Sequence, residues 1–163
     1  SATVSAYDSA TVRASPFVAV RTHTTRGSAP TVTGGVVIEV PDTTGCEPQV
    51  WIDFYGITVE DGLATVYKGV SKDLRSNQGF SYPLGKTVAC DDYKPTVECG
   101  AGLHFSPRPF LTEIYCDPDR YLEVTVPVSE IVALGDKIKT RSCTVVREVD
   151  VDGNAVAAKG AVA

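Results

Sequence analysis

The chain has 163 residues, with 43% hydrophobic and 21% charged side chains and a formal net charge of −5. That length holds one full domain and a small appendage. No apolar run reaches the ~20 residues of a membrane helix, and the acidic balance argues against a phosphate-backbone binder. Neither a membrane nor a nucleic acid is therefore expected as a partner. Abundant Val and Thr, with fourteen glycines and ten prolines, favour a mainly β chain.

The chain opens with octads: SATVSAYD, SATVRASP and a degraded FVAVRTHT. Val4, Val12 and Val20 fall in register, as do Ala2, Ala10 and Val18, so alternate positions form an apolar face with Arg13 and Arg21 on the other. A fixed short period in which no copy can bury its own face predicts a β-solenoid segment over residues 1–41. The first copy is in register from residue 1, which reads as the continuation of a longer repetitive protein. Self-association, or a protein partner, is expected at the N-terminal repeat edge, over residues 1–8. Gly27 to Thr33 breaks the period, and a strand returns over 35–40.

Residues 42–56 read as linker and capping helix. Thr44 is the expected cap of a helix over 47–55, Pro48 suits its first turn, and Gly56 ends it. Val50, Trp51 and Phe54 would share the face that closes the repeat stack. A small α+β domain follows over 57–152, with strands at 63–70, 86–90, 102–105 and 120–127 and one long strand over 137–149. Leu122, Val124 and Val126 are in phase there. A helix over 107–115, capped by Ser106, has to accommodate Pro109. Residues 153–163 read as a flexible tail. The fold class is thus mainly β, a short N-terminal β-solenoid segment with an α+β cap.

Lys137, Lys139, Arg141 and Arg147 read as the solvated face of the last strand. The five cysteines include the spacing Cys90-x8-Cys99-x4-His104-x11-Cys116. These four residues are metal-ligand candidates by type, but no ligand pair has the close spacing of a structural zinc site, and no metal is expected. A disulfide between two of Cys90, Cys99 and Cys116 is an alternative in an oxidising compartment. His23 reads as a surface residue, and His104 points opposite to Leu103 and Phe105. No nucleophile elbow, phosphate loop, zinc-protease motif or dinucleotide fingerprint is present, so no cofactor and no catalytic residue are assigned.

The stretch Glu98 to Pro107 (ECGAGLHFSP) is the most distinctive. With Tyr67-Lys68-Gly69 and the closing basic strand that carries Cys143, it resembles a family of uncharacterised domains of phages and prophages, over about residues 57–150. The octads resemble the Ser-Ala-Thr-Val repeats that precede such domains in β-helical proteins. The resemblance implies a phage or prophage gene product and no particular activity. The primary expectation is a non-enzymatic structural or interaction protein, a repeat spacer with a C-terminal cap or binding head, cytoplasmic or virion-associated.

A second similarity is to ADP-ribosyltransferases. It implies residues 102–106 as the middle strand, with His104 and Ser106 beside NAD and Glu123, Glu130 or Glu148 as the late carboxylate. Tyr67-Lys68 stands where that pattern has an Arg or His.

Overall fold

A computed structural model describes residues 3–7, 9–23 and 28–156. Strand makes up 42% and helix 11%, so the protein is mainly β, without a closed barrel. It divides into two compact units, Ser1–Asp42 and Thr43–Ala163.

The first unit contains β1 (Thr3–Tyr7), β2 (Thr11–Arg13), β3 (Ala19–His23), β4 (Thr31–Thr33) and β5 (Val36–Val40). The alternation of the octads is realised as parallel pairing, but adjacent copies are not neighbours. β1 pairs with β3, matching Val4 to Val20, and β3 pairs with β5, matching Val20 to Val37. β2 pairs with β4. Each octad thus meets the copy two places on, and the stretch expected to break the period supplies β4. Val20, on the middle strand, is fully buried, whereas Val12 is half-buried and Val4 is 37% exposed on an edge strand. Arg13 and Arg21 are exposed, as the alternation predicts. His23 is half-buried, with its ring stacked on Tyr7 at 4.3 Å. Gly34 turns the chain between β4 and β5 at φ 79°, and a Cβ there would lie 2.2 Å from the Ala14 carbonyl oxygen. The turn closes against backbone, so only glycine fits.

The second unit begins with helix α1 (Pro48–Tyr55). Pro48 opens it and Gly56 ends it in the left-handed conformation, as expected, but Glu47 rather than Thr44 is the N-cap residue, and it makes no side-chain cap. Trp51 and Ile52 are the buried residues, while Val50 and Phe54 are exposed. Trp51 belongs to the core of this unit and donates its indole N–H to the Gly135 carbonyl oxygen at 2.8 Å. Strands β6 (Val59–Glu60), β7 (Leu63–Val70), β8 (Thr87–Ala89), β10 (Arg120–Pro127) and β13 (Ser142–Val149) form an antiparallel sheet in the order β6-β7-β10-β13-β8. A second sheet is ordered β11-β12-β9, from Val132–Ala133, Ile138–Thr140 and Leu103–Phe105.

The long pattern over 137–149 is therefore two strands in two sheets. Just after the break at Arg141, the Glu130 carboxylate accepts both the backbone N–H and the hydroxyl of Ser142, so that this N–H is satisfied where the two strands part. The expected helix over 107–115 is a 3-10 helix, Pro109–Ile114, with Arg108 rather than Ser106 before it and no side-chain cap. Leu122, Val124 and Val126 are in phase and fully buried, sharing one core with Leu103, Phe105 and Ile138 of the other sheet. The expected tail is partly ordered: the Val156 N–H bonds to the Glu148 carbonyl, and Ala155 bridges to Val149. Residues 157–163 lie outside the described residues.

Candidate functional site

The two sheets meet where Tyr67 and Ser106 exchange both backbone hydrogen bonds, each 2.9 Å long. Beyond that bridge, β7 continues to Lys68 and Gly69, and a cavity of about 480 Å³ opens there. Its walls are the end of β7, the loop from Ser76 to Tyr82, the Cys99 to Ser106 segment, Thr112 to Cys116, and Lys137 just ahead of β12.

β7 has Ala64, Val66, Lys68 and Val70 in phase. Three of these are buried apolar residues, and the fourth is a lysine. The Lys68 amine donates to the His104 carbonyl oxygen at 3.0 Å and lies 5.5 Å from the Tyr82 ring centre and 5.9 Å from that of Phe105. Burial holds its pKa below the ordinary lysine range, and the amine makes no ion pair among the described residues. Lys137, the other cation lining the cavity, sits over the Tyr115 ring at 4.1 Å. Asp92 is the one carboxylate among the described lining residues, and it accepts the Cys90 thiol at 3.0 Å. The cavity thus presents two ammonium groups, aromatic walls and little negative charge.

His104 projects from β9 away from the buried Leu103 and Phe105. Its pKa falls to about 4, first because burial disfavours the charged ring and then because Lys137, Lys68 and Lys139 crowd it. It is uncharged at neutral pH. Its Nε2 lies 3.9 Å from Cys99 Sγ, and Cys99 also takes a hydrogen bond from the Lys137 amine at 3.5 Å. Lys139, expected on a solvated face, is fully buried, and its amine donates to the Glu98 carbonyl oxygen at 2.8 Å. Its stem passes beneath Gly102, where a Cβ would lie 2.4 Å from Lys139 Cγ. The Cys99–Gly102 segment is pinned to β12 in this way.

The candidate metal ligands do not assemble. Cys90, Cys99, His104 and Cys116 all line the cavity, yet no group of three or more metal-ligating side chains forms among the described residues. Cys116 donates to the Thr112 carbonyl, and Cys90, Cys99, Cys116 and Cys143 are free thiols. Of the residues implied by the transferase similarity, His104 and Ser106 meet in the cavity beside Lys68. The three glutamates are held elsewhere. Glu123 pairs with Arg147 at 2.8 Å, Glu148 with Arg120, and Glu130 with Ser142.

Sequence reasoning did not assign Lys137 to a site, and it met Lys68 only as the residue that departs from the transferase pattern. A signal existed for Lys68, since a charged residue in phase with Ala64, Val66 and Val70 interrupts an otherwise buried face. Lys137 carried none, because its position depends on the long-range pairing of β12 with β9.

A family model described as a domain of unknown function (DUF7666) matches residues 64–157, a span that contains every residue lining the cavity. The chain belongs to that family. No curated protein and no solved structure matches it.

Proposed function

We propose that this family member is a non-enzymatic structural and binding protein of phage or prophage origin, a β-solenoid spacer carrying a head that binds a small anionic ligand. The observation that carries the binding reading is Lys68. A partly buried ammonium facing a cavity with no carboxylate partner is costly, and an incoming anion would offset that cost. Lys137 adds a second positive charge, while Tyr82 and Phe105 flank the Lys68 amine. The solenoid reading is supported by the three parallel pairings of the first unit, in which each octad meets the copy two places on. Phage origin rests on the sequence resemblance alone. Val36, Val37 and Ile38 are exposed on β5, an edge strand, and support self-association or a protein partner there.

Calorimetric titration of the full chain with inorganic phosphate and diphosphate tests the head. Saturable binding that weakens at least about tenfold in Lys68→Gln is expected, the size of a lost charge-assisted contact. No binding, or equal binding by the variant, overturns it.

The second reading, an ADP-ribosyltransferase-like enzyme using NAD near His104, is favoured by the meeting of His104, Ser106 and Lys68 in one cavity. None of the three glutamates that the similarity implies lines that cavity. Micromolar NAD binding with nicotinamide release, abolished by Glu→Gln at position 123, 130 or 148, would establish it in place of the first.

A further inference from the structure

Three thiols line the cavity, and their surroundings differ. Cys90 is buried against Asp92, and Cys116 is half-buried with its thiol on the Thr112 carbonyl. Cys99 is exposed, between an imidazole and an ammonium. The uncharged His104 ring can accept the S–H at Nε2, while Lys137 donates to the sulfur. The sulfur is therefore oriented by one acceptor and one cation. A second observation points to an anionic visitor: Lys68 faces the same cavity and makes no ion pair among the described residues. A small anion drawn toward Lys68 and Lys137 arrives within reach of the thiol. Gly100, Ala101 and Gly102 follow Cys99, so its own segment offers little side-chain bulk to shield the sulfur.

We propose that Cys99 is a modification site that undergoes thiol–disulfide exchange with small anionic disulfides. Cys99 gives its proton to solvent, and its sulfur attacks one sulfur of the reagent. A mixed disulfide forms on Cys99 as the reagent's S–S bond breaks, and the departing half leaves as a thiolate that solvent reprotonates. Cys99 is oxidised and the reagent reduced, so no other oxidant is required. The positive surroundings, Lys137 on the sulfur and Lys68 in the same cavity, select the reagent by its charge.

The test compares oxidised glutathione, which is anionic, with the neutral hydroxyethyl disulfide, on the full reduced chain. Adducts are located by peptide mass mapping, and the urea-unfolded chain serves as reference. The expected result is that Cys99 reacts first among the five cysteines. Its anionic-to-neutral rate ratio should exceed that of the unfolded chain by about five- to tenfold, the effect of one or two nearby charges in a wet site. Lys137→Gln should lose that excess, Lys137→Arg should keep it, and high salt should remove it from the unmodified protein. First reaction at Cys46 or Cys116, or an equal ratio in the native and unfolded chains, would overturn the proposal, as would an unchanged ratio in a folded Lys137→Gln protein. Phosphate binding through Lys68 is measured with no disulfide present, so the two proposals fail separately.

Discussion

The two units use the same period-two pattern to different ends. In the first, the buried side chains are small (Ala6, Val20, Thr22 and Val40), and strands pair in parallel with copies close along the chain. In the second, Trp51, Tyr82, Leu103, Phe105, Leu122 and Ile138 are buried, and antiparallel strands from distant parts of the sequence form two sheets. Local repetition gives a regular ladder with a shallow interior. Non-local pairing leaves a place where two sheets diverge, and there the cavity opens. The difference explains why the candidate site lies in the unit without the repeat.

The contrast in core size sets the largest expected effect. Trp51→Ala removes a fully buried ring and its bond to Gly135, and should lower stability by about 3–5 kcal/mol. Urea unfolding followed by far-UV circular dichroism checks it, and an unchanged midpoint would show that the second core does not depend on its one tryptophan. In the first unit the tightest point is a turn. Gly34→Ala should cost about 1–3 kcal/mol, because the new methyl meets the Ala14 carbonyl and the backbone is left-handed there. Faster amide exchange in β3 and β5 is the expected signature. Val20→Ala should cost less, about 1.5 kcal/mol for two buried methylene equivalents. If it instead rivals Trp51→Ala, the small-core description of the first unit is wrong.

A pH dependence is also expected in the second unit. The pKa of His104 is depressed to about 4 from an unfolded value of 6.5, so between those values the unfolded chain binds more protons. Its contribution is therefore fully present above pH 6.5 and is lost as pH falls toward 4. Lys68, Lys137 and Lys139 are the charged groups that oppose its protonation, with Cys99 at its Nε2. His104→Gln should flatten the slope of urea midpoint against pH in that window. A slope as steep as that of the unaltered protein would mean that another group is titrating.

How much was legible in advance follows from the range of the interactions involved. The strands at 63–70 and 120–127 coincide with β7 and β10, because an eight-residue alternation outweighs other local preferences. The pattern over 137–149 also alternates, yet it breaks at Arg141, where Glu130, eleven positions upstream of that residue, accepts from Ser142. Alternation reports which residues share a face and carries no information about where a strand changes sheets. For the site, Cys99, His104 and Ser106 stood out through their glycine-flanked segment, and they do meet in one cavity. The glutamates chosen for the transferase similarity were read from strand position alone, and arginines or a serine held in register by the sheets engage them.

The sequence by itself determined that the protein is mainly β, that Arg13 and Arg21 face outward from the octads, and that Gly56 ends the helix begun at Pro48. Each follows from side-chain alternation or backbone conformation within a few residues. Only the tertiary structure decided that octads pair with the copy two places on, and that Trp51 rather than Val50 or Phe54 is buried. It also decided that Lys139 is buried beneath Gly102 and that Lys68 and Lys137 face one cavity. These depend on which distant strands become neighbours, and that choice is made by the summed burial of the whole core rather than by any one segment.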